Sequence, residues 1–395
     1  MKGAQVICLE RVGAADHQES GTGLNIGPNG VKALMAHESE VARQITEQSF
    51  PWRSWKVSLT DGTTLFDLPL AQVADNDGWR IRWSELYRIL REAAAPTIRY
   101  GCSIDFMAPS GLNPAHISIG WSQAAGGEQF LDDVDLLIAA DGRYSEMRAT
   151  LAGPPELRHV GVAISRVLVP DTSAGLIDDY EQWFNGPYRL LGFRVPPDHI
   201  YATCAFPIPA DQPIPEAMKH PEALRQLYLP AMGELSPSAQ WMLDTICAHA
   251  GELHWARMQE HDVLYAHPQT NALFIGDAAH GMVPTLGQGA TQAVEDAVVA
   301  GDIIAREWAS GSRDPRRWLE LIDAARAKRM AFAMRISLEA TDTMLPGAEP
   351  VAGSLQQLHI KKVQPDFLSK LRSLYCDVAG GPMPMEGQRR AQASG

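Results

Sequence analysis

The sequence predicts an α/β protein in which a mostly parallel sheet domain is interrupted by a β-rich one and followed by helices. Three observations carry this. Short apolar runs such as VDLLIAA at residues 134–140 and ALFI at 272–275 lack polar alternation, as expected of strands covered on both faces. Segments such as WSELYRILREAA at residues 83–94 place Leu86, Ile89, Leu90 and Ala93 at the three-and-four spacing of an amphipathic helix. Residues 160–208, between the two kinds of run, are strand-rich and broken by Pro and Gly. The expected partition is residues 1–51, 76–154 and 266–310 in the α/β domain, and 52–75 with 155–265 in the β-rich domain. Helices should fill 311–380, and the polar Gly/Pro-rich residues 381–395 should be disordered.

Taken in order, residues 5–10 (QVICLE) read as a buried strand ending at an acidic residue, and 14–24 as a polar loop. A helix over 31–48 follows the loop Gly27-Pro28-Asn29-Gly30. Residues 55–59 and 64–68 form a hairpin, because Asp61-Gly62 supplies the positive φ of a tight turn. Ser84 is the expected N-cap of the next helix. Strands recur from 98 to 121, helix returns over 222–249 with a break near Pro230, and a helix runs from about 288 to 308 after a Gly-rich turn. Residues 315–345 and 364–375 are again helical.

With 34 basic and 47 acidic side chains the net charge is −13, which disfavours nucleic acid and anionic membranes as partners. Anionic ligands must therefore be held by local basic groups or helix N-termini. Cys8, Cys102, Cys204, Cys247 and Cys376 show no metal-ligand spacing, so no metal site is expected, and their odd count suits reduced thiols in the cytoplasm. No apolar run approaches the roughly 18 residues of a membrane span, and the residues before Glu10 are too short an apolar stretch for a signal peptide.

The chemistry concentrates in residues 271–301, NALFIGDAAHGMVPTLGQGATQAVEDAVVAG. A buried strand ends at Gly276-Asp277, where α/β folds bind ligands. A carboxylate there can accept hydrogen bonds from ribose or ribityl hydroxyls. The Gly287-Gln288-Gly289 turn lets bare backbone N–H groups and a helix N-terminus face an oxygen-rich or anionic ring edge. Pro284 stiffens the chain between the two features.

This string resembles the second flavin-binding motif of the class A flavoprotein monooxygenases, the family of para-hydroxybenzoate and salicylate hydroxylases, which reads GDAAH…P…GQG…ED. Gly276, Asp277, Ala278, Ala279, His280, Pro284, Gly287, Gln288, Gly289, Glu295 and Asp296 all match. The resemblance implies that Asp277 binds the flavin ribityl chain and that Pro284 and the Gly-rich turn lie against the isoalloxazine ring. DLLIAADGRYSEMR at residues 135–148 resembles the family's DG motif through Asp141, Gly142, Ser145 and Arg148, which implies contact with flavin and nicotinamide. GTGLNIGPNGVKAL at 21–34 resembles the loop and helix after the family's second strand. Arg82 matches an Arg that reaches the phosphates or ribityl chain, and Glu10, followed by Arg11, matches the acidic residue that accepts from the adenosine ribose. The resemblance reaches to about residue 345 and implies an FAD-binding Rossmann-like domain of the glutathione-reductase type. It departs at one place: the sequence carries no strand–GxGxxG–helix, and Gly21-Thr22-Gly23 with Gly27 has the wrong spacing. The expectation is a further βα unit of roughly 25–30 residues ahead of Gly3, from a misassigned start or a truncation.

The β-rich segment around 188–207 should face the substrate ring. Tyr201 is the first candidate, followed by Tyr188 and His199, with alternation placing His199 and Tyr201 on one face. Asn25 lies in the loop that approaches the substrate, and Arg189 or Arg194 could hold a carboxylate, with Arg194 taken as the candidate. The family's chemistry implies that NADH or NADPH reduces FAD, that O2 forms a C4a-hydroperoxide beside Pro284, and that a hydroxybenzoate- or hydroxypyridine-like ring is hydroxylated. A monomer or homodimer is expected. Alternatives are a halogenase or reductase of the same superfamily, or a non-catalytic remnant. Trp52-Arg53-Ser54-Trp55-Lys56 lacks the halogenase WxWxIP pattern.

Overall fold

The structure is a computed structural model that describes residues 3–16, 21–123, 126–346 and 354–378. Its centre is a seven-stranded sheet in the order His254–Glu260, Arg158–Pro170, His199–Pro207, Tyr188–Val195, Tyr180–Asn185, Ser54–Leu59 and Thr64–Pro69. Neighbours are antiparallel except Tyr180–Asn185 beside Ser54–Leu59, which run parallel. The expected hairpin is the sheet's edge, with Gly62 at φ 95° in its turn. The sheet buries both faces. On the outer face, Leu190, Ile200, Ala202, Cys204 and Phe206 pack against the helices Pro221–Tyr228 and Pro237–Ala248. On the inner face, Trp55, Val57, Tyr180, Phe184, Leu191, Phe193, Val195 and Ala205 join a larger core with the strand Ala272–Phe274 and the long C-terminal helices.

Opposite the inner face stand short sheets. Gly23–Ile26, Gly78–Arg82 and Phe50–Trp52 form a three-stranded antiparallel one. Two parallel pairs, Cys8–Glu10 with Ile98–Tyr100 and Leu137–Ala139 with Ala272–Phe274, carry the ends of two of the expected motifs. Asp141 and Asp277 each follow a strand of the second pair and so lie at the same end of it. Gln288–Ala309 and Pro315–Ala340 are the long helices behind the pairs, and Pro365–Cys376 closes the fold. No helix among the described residues is long and apolar enough to cross a membrane.

Several sequence expectations change. Residues 5–10 are not a buried strand: only Cys8–Glu10 is a strand, paired along one edge, and Val6 is exposed. The run 134–140 divides, because a register shift between Leu131 and Val134 and the positive φ of Asp133 end one strand before Leu137–Ala139 begins. With a single neighbour, that short strand leaves Ile138 exposed rather than covered on both faces. The helix expected over 31–48 is two, Pro28–His37 and Ser39–Glu47, separated at Glu38, whose φ of −134° and ψ of 60° are not helical. Ser84 is a buried residue of the first turn rather than the cap, which is Arg82. The helix beginning at Pro315 stops at Ala340. Part of the loop at 14–24 and the tail at 381–395 lie outside the described residues.

Leu243, fully buried between the helix Pro237–Ala248 and the sheet, tests the outer layer. Leu243→Ala is expected to lower the unfolding free energy by about 2–5 kcal/mol, the range for deleting a buried leucine. An unchanged urea midpoint would mean that the helix is not docked as described.

Candidate active site

The site lies where the strand Gly23–Ile26 crosses the inner face of the large sheet. Gly23 permits the approach: a Cβ there would meet Cβ of Tyr201 at 2.7 Å and the Phe193 ring at 3.1 Å. On the sheet, Tyr180, Phe193 and Tyr201 form a continuous stack, with ring centroids 6.0 and 4.8 Å apart. The Tyr180 hydroxyl donates to the carbonyl of Thr285 at 3.3 Å and accepts from Gln182 Nε2 at 2.9 Å, which ties the sheet to the Pro284 loop. Burial pushes the Tyr180 phenol up to about 12, and burial raises Tyr201 too, so both stay protonated at neutral pH.

The Gly-rich turn sits against this strand. Gly287 has φ 64°, caps the helix Gln288–Ala309, and its Cα faces Asn25, whose Cβ would lie 3.4 Å from an added side chain. Both amide atoms of Asn25 are buried and unpartnered, as is Nε of Arg82, on the strand next to Asn25's. Buried polar groups are ordinarily hydrogen-bonded, so these orphans point to a ligand with donors and acceptors at this place. His199 adds an unpartnered Nδ1, and burial, reinforced by the Arg82 guanidinium, lowers its pKa, leaving it neutral at pH 7. Asp277 is half-buried with its carboxylate 3.8 Å from Arg143 Nη2, and Gly289 leaves the space beside Asp277 Oδ1 open. Pro284 is exposed at the lip of the loop. The flavin end of an FAD fits this donor and acceptor set.

Other expected residues are placed differently from what their motifs suggest. Arg148 is buried and turned inward: it donates to the carbonyls of Ala278 and Ala279 at 3.1 and 2.9 Å and pairs with Asp262 at 3.2 Å. With His261 on the carbonyl of Asp277, it clamps the Asp277 turn by its backbone. Asp141 caps its own loop, accepting from Ser145 Oγ and the Met147 N–H, while Gly142 has φ 84°. Gln288 sends its side chain inward to Asn29 and Gln292. Glu10 accepts from the Val12 N–H and the Tyr87 hydroxyl, and Arg11 is exposed. Gly276 has φ 59° and donates its N–H to Asp296 at 2.9 Å.

Two substrate candidates are corrected. Tyr188 is on the outer face, edge-on to Tyr228 under the helices, because alternation opposes it to Phe193 and Tyr201. Arg194 is also turned away: its Nε is 2.8 Å from Asp171 and its guanidinium lies over Phe50 at 5.3 Å, lining a surface recess of about 230 Å³. Arg189, five residues away, is the one on the inner face.

Behind the Gly-rich turn is a buried charged network that motif spacing only half reveals. Asp296 accepts from Arg326 Nε at 2.8 Å, His280 Nε2 at 2.7 Å and the Tyr265 hydroxyl at 2.8 Å. Glu295 is 2.6 Å from Arg326 Nη1, 2.9 Å from Arg329 Nη2, and accepts from Asn29. Burial alone would raise both carboxyls. Arg329 and Arg326 around Glu295, and the His280 bond and Arg326 around Asp296, outweigh it and hold both below their ordinary range. The sequence reading recognised Glu295 and Asp296 but missed Arg326 and Arg329, whose positions follow no local spacing, and Arg143, which directly follows the Asp141-Gly142 pair.

Comparison with known proteins places this arrangement. The FAD binding domain family matches residues 247–340, which include the GDAAH and Gly-rich turns. Over 345 residues the chain is 26% identical to a 2-heptyl-3-hydroxy-4(1H)-quinolone synthase of Pseudomonas aeruginosa, covering 85% of this chain and 82% of that protein. Over 342 residues it is 25% identical to a 6-hydroxynicotinate 3-monooxygenase of Pseudomonas fluorescens, covering 81% of each. Its fold is similar to that of Klebsiella pneumoniae HpxO complexed with FAD and uric acid, with a TM-score of 0.72 at 20% identity over 95% of this chain and 91% of that one.

The charged network gives a measurable consequence. Arg326→Leu leaves two buried carboxylates with only part of their counter-charge and should cost about 3–5 kcal/mol at pH 7 in urea unfolding. Depressed carboxyls stabilise the fold above their unfolded values, 4.5 and 3.8, and lose that contribution as pH falls through the folded ones. The gap between wild type and variant should therefore narrow below pH 4. A gap that is constant with pH would count against the network.

Proposed function

We propose that this chain, which by its relatives is one of the class A FAD-dependent aromatic monooxygenases, hydroxylates a planar aromatic or N-heteroaromatic ring with NADH or NADPH as the reductant. The observation that carries the reading is the meeting of Asn25, Arg82, Asp277 and the Gly287 turn with the Tyr180–Phe193–Tyr201 stack at one place. A bound FAD would supply the redox chemistry, the exchange of two electrons between the nicotinamide and O2 that leaves one oxygen atom on the ring and the other as water.

The protein's part is binding, orientation and proton handling. Asp277 would accept from a ribityl hydroxyl, with Arg143 Nη2 at 3.8 Å helping to direct its carboxylate. Asn25 and the backbone N–H of Gly289 would meet the polar edge of the isoalloxazine, with Gly287, whose own N–H is bonded to the Pro284 carbonyl, allowing the close approach. Arg82 would hold the ribityl or phosphate oxygens, and Glu10 with Arg11 the adenosine end. The aromatic stack offers the substrate ring a flat apolar wall that excludes water. His199, neutral at pH 7, accepts the proton of a ring hydroxyl through Nδ1, and Tyr201, protonated, donates to a ring oxygen. Contact with the nicotinamide is assigned to Pro284, which is exposed, and to the Asp141-Gly142 turn.

The decisive experiment is a flavin spectrum of the purified protein followed by NADH and NADPH oxidation in the presence of hydroxybenzoates and hydroxypyridines. Substrate-stimulated oxidation with a hydroxylated product is expected, and a protein that takes up no FAD overturns the reading. Asp277→Ala removes a half-buried acceptor worth on the order of 1–3 kcal/mol once a ligand covers it. FAD should dissociate from that variant roughly 10- to 100-fold more readily. A variant that retains FAD as tightly as wild type would remove Asp277 from the site.

A further inference from the structure

His261 directly follows the strand His254–Glu260 and is 1% exposed, against the turn that carries Asp277. Its main chain and its ring hold opposite ends of that turn. The backbone N–H donates to the carbonyl of Gly281 at 3.1 Å, and ring Nε2 lies 3.2 Å from the carbonyl of Asp277. Gly281 makes room for the ring, since a Cβ there would fall 2.5 Å from Cδ2 and 2.8 Å from Nε2 of the imidazole. Any side chain at 281 would push the ring off the Asp277 carbonyl. Ring Nδ1 faces two groups of opposite kind. The carbonyl of Asp262 is 2.9 Å away, and Nη1 of the buried Arg148 is 3.3 Å away.

A neutral imidazole has one N–H and one lone pair, so it cannot donate to both carbonyls. A guanidinium can only donate, so Arg148 requires the lone pair at Nδ1 and places the proton on Nε2, aimed at Asp277. The Asp262 carbonyl is still satisfied, because Arg148 Nη2 donates to it at 3.2 Å. The other tautomer would set the Nε2 lone pair against the Asp277 oxygen and an N–H against Arg148. A doubly protonated ring keeps its bond to Asp277 but brings a second positive charge to 3.3 Å from Arg148, which also holds the carbonyls of Ala278 and Ala279. The charged groups around the ring are Arg148, from the helix Glu146–Ala152, and the Asp262 carboxylate, 3.2 Å from that guanidinium. The Asp277 carboxylate is half-exposed beside Arg143. Burial first, and then Arg148, outweigh the two carbonyls and hold the ring below its ordinary 6.5, neutral at pH 7.

We propose that His261 is a positioning residue for the flavin: as the Nε2–H tautomer fixed by Arg148 it holds the backbone of Asp277, and a second proton on its ring drives Arg148 off the turn and releases FAD. The inference rests on the FAD reading for the ligand at Asp277. A ring kept neutral in the closed turn takes up its proton in the open one. FAD affinity is therefore full above pH 6.5 and is lost as pH falls below it. Two measurements test this. In flavin-free protein carrying 15N-labelled histidine, the ring signal that disappears in His261→Gln identifies the residue, and it should report a neutral ring protonated at Nε2 at pH 7. FAD dissociation constants are then read from the quenching of flavin fluorescence as the pH is lowered. In wild type they should rise below pH 6.5 by at most about tenfold per pH unit, the limit for one proton. His261→Gln, whose amide N–H can stand in for Nε2–H, should bind FAD within about threefold of wild type at pH 7 and lose that slope. His261→Asn reaches only the place of Nδ1 and should bind roughly 10-fold more weakly at pH 7, the order of one lost hydrogen bond. Gly281→Ala should weaken binding too, although it removes no polar atom. A ring protonated at Nδ1, a wild-type affinity that is flat with pH, or a slope that His261→Gln retains overturns the proposal. Should His261→Gln not fold, the ring signal is identified by its shift in Gly281→Ala, and the tautomer and the wild-type slope decide. A chain that takes up no FAD at any pH fails the FAD reading and this proposal with it. A chain that takes up FAD with any of the three overturning results fails this proposal alone.

Discussion

The site depends first on the pairing of Glu295 and Asp296 with Arg326 and Arg329 inside the protein. Adjacent residues on one helix project in different directions, so these two carboxylates reach different partners. Asp296 holds the N–H of Gly276 and the ring of His280, both in the turn that carries Asp277. Glu295 holds Asn29, in the helix that follows the strand of Asn25. Arg326 joins the two and fixes them to the long helix behind. Arg329 extends the network to the carbonyls of Ser373 and Leu374 at the end of the last helix. Segments from four regions of the sequence are thus positioned by two acids and two guanidiniums. Removing either sign leaves the other buried and unmatched, so the network exists whole or not at all.

This constraint explains why so many residues of the GDAAH…GQG…ED string do not touch the site. His280, Gln288, Glu295 and Asp296 are buried and spend their hydrogen bonds inside the fold. Arg148, from the other motif, works on the opposite side of the same turn and holds its backbone carbonyls. Asp277 is left as the outward side chain of a turn gripped from both sides. The rigidity has a function: a hydrogen bond to a ligand is strongest when the acceptor loses no freedom on binding.

The legible part of the fold was its local part. The spacing of Leu86 and Ile89 gave the helix Trp83–Ala94 to the residue, and Asp61-Gly62 gave the hairpin. The strand ends at Asp141 and Asp277 came from the apolar runs before them, although the runs promised longer and better covered strands than Leu137–Ala139 and Ala272–Phe274. Coverage depends on neighbours distant in sequence, and a run of apolar residues does not name them. The choice between Arg189 and Arg194 shows the same limit at the site. Their odd separation puts them on opposite faces of a strand, and that much follows from the period of two. Which face is inner depends on the register of Phe193 against Tyr201 and on the helices that cover Leu190, both set by tertiary pairing. Arg326 was illegible for a related reason, lying 30 residues from its partner Asp296 in a helix with no motif of its own.

The electrostatics of the site run against those of the molecule. The chain carries 13 more acidic than basic side chains, a field that opposes the approach of a dinucleotide or an aromatic acid. Distance and burial decide which effect prevails. Exposed charges are screened over a Debye length of about 8–10 Å in physiological salt, whereas charges inside the protein are screened much less. Most of the buried cations among the described residues are already paired with a carboxylate and exert little net field. Arg82, with an unpartnered Nε, and Arg189 are exceptions, and the part-exposed Arg143 has only Asp277 beside it, at 3.8 Å. These three stand on the ligand side of the fold, two near the Gly-rich turn and one at the far end of the aromatic stack. In the proposed function, a surface that repels anions at long range would therefore enclose a groove that retains them at short range. Discrimination in such a groove comes from the desolvated contact rather than from the encounter, because only an anion that reaches full contact gains from a guanidinium the surface acids no longer screen.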